Sequence, residues 1–351
     1  MKKCRTDFFK RLDDSRCQCR VCPNQCILKP SQRGRCGAFE CQPDGIYSTI
    51  YGKVSSLCID PIEKKPFHHF LPGSPTLSLG TVGCNLSCSF CQNWDISLNR
   101  RREADLRSAS PEIIVEAARQ HHCQSIACTY NEPTIFIDFC LDIADKAHTE
   151  NLKMVAVTNG YIEGAPRAAF YSSFDAVNVD LKGFTDDFYR RHCGARLQPV
   201  LDTLHYIHKQ TDAWLEITTL LIPGENDSEA ELDEMFSWIH ETLGRDVPLH
   251  LTAFYPQFKM LDKPATSATT VIAARDQAIA KGLNYVYTGN IHYPEGERTT
   301  CPSCNTVVIG RDRYEMDIWE ISNGTCGHCG QPIAGVFPDQ PGNWGSRRHP
   351  L

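Results

Sequence analysis

The chain lacks the long apolar runs and the strong positive charge that would tie it to a membrane or to nucleic acid. It has no stretch of 18 or more apolar residues, the minimum for a membrane-spanning helix. Its start is charged and lacks the apolar core of a signal peptide. The formal net charge of −6 gives no general attraction for nucleic acid or an anionic membrane. We therefore expect a cytoplasmic protein with no membrane partner, and the charge argues against nucleic acid as a partner.

One basic block, Arg100, Arg101 and Arg102, departs from this balance. Glu103 and Asp105 follow it closely and offset its charge. The block therefore favours a solvated loop over a binding surface.

Cysteine is abundant, with 19 in 351 residues. In a small secreted protein this number would indicate disulfides, but here the chain is long and several cysteines form C-x2-C pairs without a signal peptide. That pattern favours metal sites in a reducing compartment. Hydrophobic residues make up 41% and charged residues 22%, which is ordinary for a globular enzyme. The sequence predicts a cytoplasmic metalloprotein with one large α/β domain and small additions, or with two domains.

The most informative cysteines are Cys84, Cys88 and Cys91, in a C-x3-C-x2-C loop without a fourth cysteine. A [4Fe–4S] cluster held by four cysteines is coordinatively full, whereas one held by three keeps an iron to which a small molecule can bind. A zinc site or buried thiols are the alternatives. The odd ligand count, and the buried strand and glycine turn predicted before the loop, weaken both. We therefore predict an open [4Fe–4S] site here.

A second cysteine group lies near the carboxyl terminus and consists of two C-x2-C knuckles separated by 21 residues. Its members are Cys301, Cys304, Cys326 and Cys329. Four thiolates from two knuckles give tetrahedral coordination with no open position. We predict a structural zinc ribbon. A ribbon can also contact nucleic acid or a partner, but nothing basic surrounds this one.

A third group lies near the amino terminus, in the spacing C-x2-C-x3-C-x9-C. Its members are Cys19, Cys22, Cys26 and Cys36. This spacing fits zinc and an auxiliary iron–sulfur cluster equally well. Cys17 or Cys41 can replace one ligand in this interpretation, and unligated thiols are the remaining alternative.

The middle of the chain alternates strand-like and helix-like segments, which is typical of a parallel sheet. About six such units predict an α/β fold, a partial TIM-like (β/α)6 barrel. Four polar residues fall at or just past predicted strand ends, where barrel enzymes build their active sites. They are Glu132, Asn159, Asp180 and Lys182. Each alone is also explained as a polar residue facing a loop.

The cysteine loop, with Phe90 just before its third cysteine, resembles the signature of radical SAM enzymes. The wider pattern is similar to the radical SAM proteins of the AmmeMemoRadiSam system, which are related to pyruvate formate-lyase-activating enzymes. The resemblance runs from about residue 19 to about residue 337. Its matching stretches are residues 60–66, 91–94, 130–134 and 287–290. It implies that the open iron binds S-adenosylmethionine and that reductive cleavage yields a 5′-deoxyadenosyl radical.

The resemblance also implies which residues contact S-adenosylmethionine: Phe90, Asn131, Glu132, Asn159, Asp180, Lys182 and His250. Glu132 is expected to hold the amino group, although the commoner Gly-Gly-Glu motif is missing here. Asp180 is expected to accept from a ribose hydroxyl or the amino group, and Lys182 to engage the carboxylate. The alternatives are a helix N-terminal acid for Glu132, a local ion pair for Asp180 and Lys182, and a core residue for His250 and Phe90.

The predicted domains are a Cys-rich metal-binding segment (1–45), a connecting segment (46–75), a radical SAM core (76–298), a zinc ribbon (299–338) and a flexible tail (339–351). Within the connecting segment, residues 60–70 combine opposite charges with two histidines. That run favours either a substrate entrance or a solvated, salt-bridged turn.

The sequence thus predicts an enzyme that cleaves S-adenosylmethionine and abstracts hydrogen from a substrate. The resemblance to activases favours another protein as that substrate, and a flavodoxin- or ferredoxin-type reductant as the electron donor. A small metabolite, peptide or RNA substrate is the alternative within the same chemistry. A non-catalytic iron–sulfur and zinc scaffold, or an electron carrier, is the alternative from another class.

Overall fold

The computed structural model describes residues 4–12, 15–98 and 106–351. The predicted basic loop at Arg100, Arg101 and Arg102 lies outside the described residues. No helix in the described ranges is both long and apolar enough to cross a membrane.

The strands are β1 (Cys4–Arg5), β2 (Phe9–Arg11), β3 (Cys17–Cys19), β4 (Ile27–Leu28), β5 (Phe39–Gln42), β6 (Gly45–Ser48), β7 (Lys53–Val54), β8 (Ser56–Pro61), β9 (Pro75–Gly80), β10 (Arg107–Ser108), β11 (Ser125–Cys128), β12 (Lys153–Thr158), β13 (Ala176–Asp180), β14 (Trp214–Leu221), β15 (Leu249–Ala253), β16 (Val286–Gly289), β17 (Thr299–Thr300), β18 (Val307–Asp312), β19 (Glu315–Trp319), β20 (Ile321–Ser322), β21 (Thr325–Cys326) and β22 (His349–Pro350).

The α-helices are α1 (Trp94–Ser97), α2 (Pro111–Gln120), α3 (Ile137–Thr149), α4 (Gly164–Tyr171), α5 (Asp186–Phe188), α6 (Gln198–Gln210), α7 (Glu229–Trp238) and α8 (Ala268–Ala280). Three of the longer helices begin at a serine cap, because the side chains of Ser110, Ser228 and Ser267 each accept a hydrogen bond from a backbone N–H of the first turn. Two π-helical turns, Tyr189–Cys193 and Ile239–Leu243, extend α5 and α7.

The main sheet has nine strands in the order β16-β15-β14-β13-β12-β11-β9-β8-β22. The seven from β9 to β16 in this order pair in parallel, with helices on the connections between them. The predicted α/β fold with a parallel sheet is therefore confirmed. The finer description as a (β/α)6 barrel stays a prediction, since six strand–helix units are followed here by a seventh parallel strand.

Side chains alternate between the two faces of the sheet, as strand geometry requires. Ile126 and Cys128 of β11 pack outward into the large core shared with the helices. Ala127, between them, faces inward with Val155 and Ala176. The inward cluster is completed by residues 62–70, called here the inner segment, which contribute Ile62, Phe67 and Phe70.

The burial of residues 60–70 rules out one of the two predictions made for them, the solvated turn. The salt bridges exist, since Asp60 binds Lys64 and Lys65 at 2.8 Å each. The run is buried, however, with Asp60 and His69 both fully inaccessible. The prediction of a solvated turn was wrong, because this run, although rich in charged residues, packs against the inner face of the sheet. The prediction that it lines a substrate entrance stays a prediction.

The chain ends pack beside this core. The amino-terminal cysteines lie on or next to two small antiparallel sheets, β1-β6-β5 and β2-β3-β4, and the carboxyl-terminal cysteines border β17-β18-β19 and β20-β21. Arg311 of β18 is buried and donates to the His68 carbonyl at 2.6 Å, which fastens this end to the inner segment. Within the tail predicted to be flexible (339–351), His349 and Pro350 pair with β8 at the sheet edge.

Candidate active site

The Cys84, Cys88 and Cys91 loop follows β9 at the carboxyl end of the parallel sheet. Its three sulfurs are not all within 4.8 Å of one another, so they are spread more widely than the ligands of a single metal ion. Burial raises the pKa of the Cys84 thiol well above its ordinary value. A cationic metal centre is what would keep such a buried thiol as a thiolate. The donor set and its spread therefore fit a [4Fe–4S] cluster with three protein ligands.

The loop is held by backbone and amide contacts on both sides. The Asn131 side chain accepts from the Thr81 N–H at 3.0 Å and donates to the Gly83 carbonyl at 2.9 Å. On the other side, the π-turn carbonyls of His192 and Cys193 accept from Ser89 and Ser87. Asn131 thus lies at the predicted site and positions the loop, and its contact with S-adenosylmethionine stays a prediction.

Asn159, just past β12, lies directly against the loop. Its amide nitrogen donates to the Asn85 side-chain oxygen at 2.8 Å and lies 3.7 Å from the Cys84 sulfur. Hydrogen bonds to cluster sulfurs tune reduction potential and stabilise the thiolates. The structure therefore brings Asn159 together with the cysteine loop, in contact with a ligand sulfur.

Asp180 and Lys182, at the end of β13, form an ion pair of 2.9 Å beside the same loop. Their side chains are 34% and 16% exposed, so the pair is open to a ligand from the sheet mouth. Burial lowers the pKa of Lys182, but the negative charge of Asp180, together with that of Cys88 and Cys193 as thiolates, outweighs burial and holds this pKa well above its usual value. Lys182 therefore stays an ammonium at neutral pH.

Phe90 is buried between the loop and the core. Its ring lies 5.8 Å from the Phe188 ring and 6.0 Å from the Lys182 nitrogen. With 4% of its surface exposed, Phe90 supports the loop from beneath.

Glu132 has a different place from the predicted one. Its carboxylate accepts from the Thr134 N–H (3.0 Å), the Thr158 hydroxyl (2.8 Å) and the Asn159 N–H (2.8 Å), and the residue is 2% exposed. Three of the roughly four acceptor positions of this carboxylate are therefore taken by protein donors, and almost none of its surface is exposed. The side chain caps the turn at Thr134 and ties it to the end of β12, and the role predicted for Glu132 in holding S-adenosylmethionine stays a prediction.

His250 also differs from its predicted role. Its Nε2 pairs with the buried Glu216 carboxylate at 2.6 Å, and its ring packs against His68 and Tyr287. Only 3% of its surface is exposed. His250 is therefore a satisfied core histidine facing the inner segment, because the polar interior of the sheet supplies its partner.

Cys193 is a site residue that sequence reasoning missed. It ends the first π-turn, is fully buried, and its thiol hydrogen-bonds the Cys88 thiol. The sequence carries no signal for this contact, since 104 residues lie between the two cysteines and Cys193 belongs to no C-x2-C pair.

The carboxyl-terminal cysteines form the tight group that the sequence predicts. The four sulfurs lie within 4.8 Å of one another, with Cys301–Cys329 at 3.6 Å and Cys304–Cys326 at 3.7 Å. A tetrahedral ion with bonds of about 2.3 Å needs sulfurs about 3.8 Å apart. This group therefore has the geometry of a mononuclear metal site.

The amino-terminal cysteines also converge, but more loosely. Cys19, Cys22, Cys26 and Cys36 line one small hollow together with Arg35 and Phe39. Burial raises the pKa of Cys19 and Cys36, and raises that of Cys22 to about 12. Cys17 and Cys41 are buried and hydrogen-bonded to each other, and the alternative that one of them replaces a member of the four stays open.

Comparison with known proteins agrees with this geometry. Residues 78–236 match the model of the radical SAM superfamily. The chain is 41% identical over 328 residues to an uncharacterized protein of Methanocaldococcus jannaschii, covering 93% of this chain and 97% of that one. It is 23% identical over 209 residues to a second protein of that organism, provisionally named a glycyl-radical enzyme activating enzyme, covering 59% and 78%.

Among solved structures, Streptococcus suis SuiB bound to S-adenosylmethionine superposes with a TM-score of 0.50 at 15% identity, covering 67% of this chain and 55% of that one. This likeness shows the fold alone. Together with the three-cysteine loop at the end of β9, the matched family model and the relatives show that the chain belongs to the radical SAM superfamily.

Proposed function

We propose that this protein is an enzyme that binds S-adenosylmethionine at a [4Fe–4S] cluster held by Cys84, Cys88 and Cys91, and abstracts hydrogen from a substrate. The observation that carries the proposal is the half-open Asp180–Lys182 pair beside three widely spaced thiols. When bound, the reduced cluster supplies the electron that cleaves the sulfonium and releases the 5′-deoxyadenosyl radical.

The chain's own residues provide binding and orientation. The Lys182 ammonium suits the carboxylate of S-adenosylmethionine, and Asp180 suits a ribose hydroxyl or the amino group. Asn159 and Asn131 hold the loop, the first through a cysteine sulfur and the second through backbone. Glu132 is turned inward, whereas Asp180 is a carboxylate beside the loop that is accessible at this mouth.

Lys182→Met tests this assignment, with Lys259→Met as the matched control. Lys259 is exposed, and its backbone N–H bonds the Ser89 carbonyl, so it is a lysine near the same loop. We expect Lys182→Met to weaken S-adenosylmethionine binding at least tenfold, measured by equilibrium dialysis on anaerobically loaded protein, and Lys259→Met to leave it unchanged. Equal affinity in wild type and Lys182→Met would remove Lys182 from the binding site.

We propose a protein as the substrate. The name of the activase-like relative supports this choice. So does an apolar rim beside the loop, since Trp94 is 40% exposed and stacks on Phe258 at 5.4 Å, and Leu261 in the same segment is 70% exposed. Exposed apolar groups clustered next to a site are typical of a protein contact.

Deuterium transfer distinguishes the substrate classes. The enzyme is incubated with size fractions of an extract from cells grown in deuterated medium, and 5′-deoxyadenosine is analysed by mass spectrometry. Deuterium from the large, protease-sensitive fraction supports a protein. Deuterium from the small-molecule fraction, or from a nuclease-sensitive one, supports a metabolite or RNA and overturns the proposal.

A further inference from the structure

The four amino-terminal thiols differ in spacing from the four carboxyl-terminal ones, although both sets have four members. Among the described residues, the carboxyl-terminal four are the group of three or more possible ligands whose ligand atoms all lie within 4.8 Å. No three of Cys19, Cys22, Cys26 and Cys36 meet that limit. The sulfurs of Cys84, Cys88 and Cys91 do not all lie within 4.8 Å of one another either.

The four amino-terminal cysteines nevertheless surround a single, well-defined hollow. All four thiols line one hollow, whose walls otherwise include the apolar Val21, Phe39 and Ile135. The site is therefore not a scatter of surface cysteines.

Each sulfur also faces an N–H donor. Cys26 accepts from the Arg35 backbone at 3.5 Å, and Cys22 lies 3.6 Å from the Asn24 amide nitrogen. Cys19 accepts from the Val21 backbone N–H, and Cys36 from the backbone N–H groups of Ala38 and Phe39. Donors aimed at every sulfur are what thiolate ligands require.

A single metal ion could bind all four thiolates only if the four sulfurs moved closer together. A zinc ion at about 2.3 Å from each thiolate draws all four to within about 3.8 Å of one another. A cluster puts its thiolates on different irons and so holds them farther apart. The spacing of the hollow therefore suits a polynuclear centre.

The hollow also touches the catalytic loop directly. The Asn24 amide nitrogen that faces the Cys22 sulfur donates to the Asn85 carbonyl at 2.8 Å, next to Cys84. The Cys36 carbonyl presses on Gly83, where φ is +98° and a β-carbon would collide with that oxygen. The two cysteine sites thus share a wall made of backbone and one amide side chain.

We infer that Cys19, Cys22, Cys26 and Cys36 hold a second iron–sulfur cluster, and that this cluster passes electrons to the catalytic loop. Four thiolates leave no iron open, so such a cluster transfers electrons but binds no S-adenosylmethionine. A reduced flavodoxin or ferredoxin gives up one electron, the second cluster takes it, and the same electron then reduces the catalytic cluster. The electron-transfer half rests on the proposed function, whereas the identity of the metal does not.

The metal is tested first, on full-length protein purified anaerobically. Cys84→Ala/Cys88→Ala/Cys91→Ala removes the catalytic ligands and is expected to keep about four irons and four sulfides per chain, as a [4Fe–4S] cluster requires. It should also show a paramagnetic signal after dithionite reduction. Cys19→Ala/Cys22→Ala should lose these irons. Cys301→Ala/Cys304→Ala is the matched control and should lose zinc alone.

Retention of the carboxyl-terminal metal reports that each amino-terminal or loop variant is folded. An amino-terminal site that contains zinc and no sulfide in the folded triple variant overturns the inference.

The role is tested by comparing two reductants. In Cys19→Ala/Cys22→Ala with a loaded catalytic cluster, the ratio of 5′-deoxyadenosine formed with dithionite to that formed with reduced flavodoxin should rise at least tenfold over wild type. An unchanged ratio refutes the electron path. If wild type with dithionite forms no 5′-deoxyadenosine, the proposed function fails, while the metal contents still decide the identity of the second centre.

Discussion

Glu132→Gln separates a structural from a ligand-binding role for the residue that sequence and structure place differently. In the wild type one carboxylate oxygen accepts from Thr134 and Thr158, and the other accepts from the Asn159 N–H at 2.8 Å. Glutamine keeps the volume but offers one acceptor oxygen, so its NH2 group must face a buried donor. An unsatisfied buried donor costs about 1–3 kcal/mol.

We therefore expect Glu132→Gln to lower the free energy of unfolding by about 2 kcal/mol. Unfolding of a metalloprotein is not two-state, so the assay is the apparent melting temperature at matched iron content, which should fall by several degrees. The S-adenosylmethionine dissociation constant should stay within about threefold of wild type, since a loss of 1.4 kcal/mol would be tenfold.

Lys182→Met should show the reverse, with weak binding and a nearly unchanged melting temperature. A Glu132→Gln variant that melts like wild type but binds S-adenosylmethionine tenfold more weakly would contradict the structural role of Glu132. The carboxylate would then face the ligand and not the protein donors.

Two further predictions concern buried groups. Cys193→Ser should keep the iron content and the cleavage of S-adenosylmethionine, because three ligands suffice and Cys193 contacts Cys88 only through its thiol; loss of iron would make it a fourth ligand. Burial raises the pKa of Glu63 to about 7 from an ordinary 4.5, so the folded protein takes up a proton that the unfolded chain releases, and stability falls as pH rises between these values. The loss of unfolding free energy between pH 4.5 and 7 is about 3 kcal/mol, and Glu63→Gln should remove it. The profile of melting temperature against pH should therefore be flatter in this variant. An unchanged profile would show that Glu63 does not titrate in this range.

The strand–helix alternation and the cysteine sites could be predicted from the sequence because both depend on local sequence patterns. The parallel sheet and the tight carboxyl-terminal group followed from them. The hydrogen-bond and ion-pair partners of the buried polar residues could not be predicted from the sequence. His250 pairs with Glu216 across 34 residues, and no local pattern records such a contact.

Two other features show the same limit. Asp60 and Lys65 look solvated by composition, yet they lie inside the sheet because each neutralises the other at 2.8 Å. The tail has no apolar pattern, but strand pairing uses backbone groups, and so His349 can bind the β8 edge without one.

The distinction between zinc and a cluster is also tertiary. Both use the same C-x2-C knuckles, and the difference appears only when distances between sulfurs are compared across one molecule. The sequence alone left the amino-terminal metal open for this reason.

We propose that Cys84, Cys88 and Cys91 hold an open cluster at which S-adenosylmethionine is cleaved. The most direct test incubates anaerobically reconstituted protein with dithionite and S-adenosylmethionine and measures 5′-deoxyadenosine and methionine, with Cys88→Ala as the control. We predict equal amounts of both products from wild type and none above background from Cys88→Ala. Wild type that carries a full cluster and forms no more product than Cys88→Ala would contradict the account.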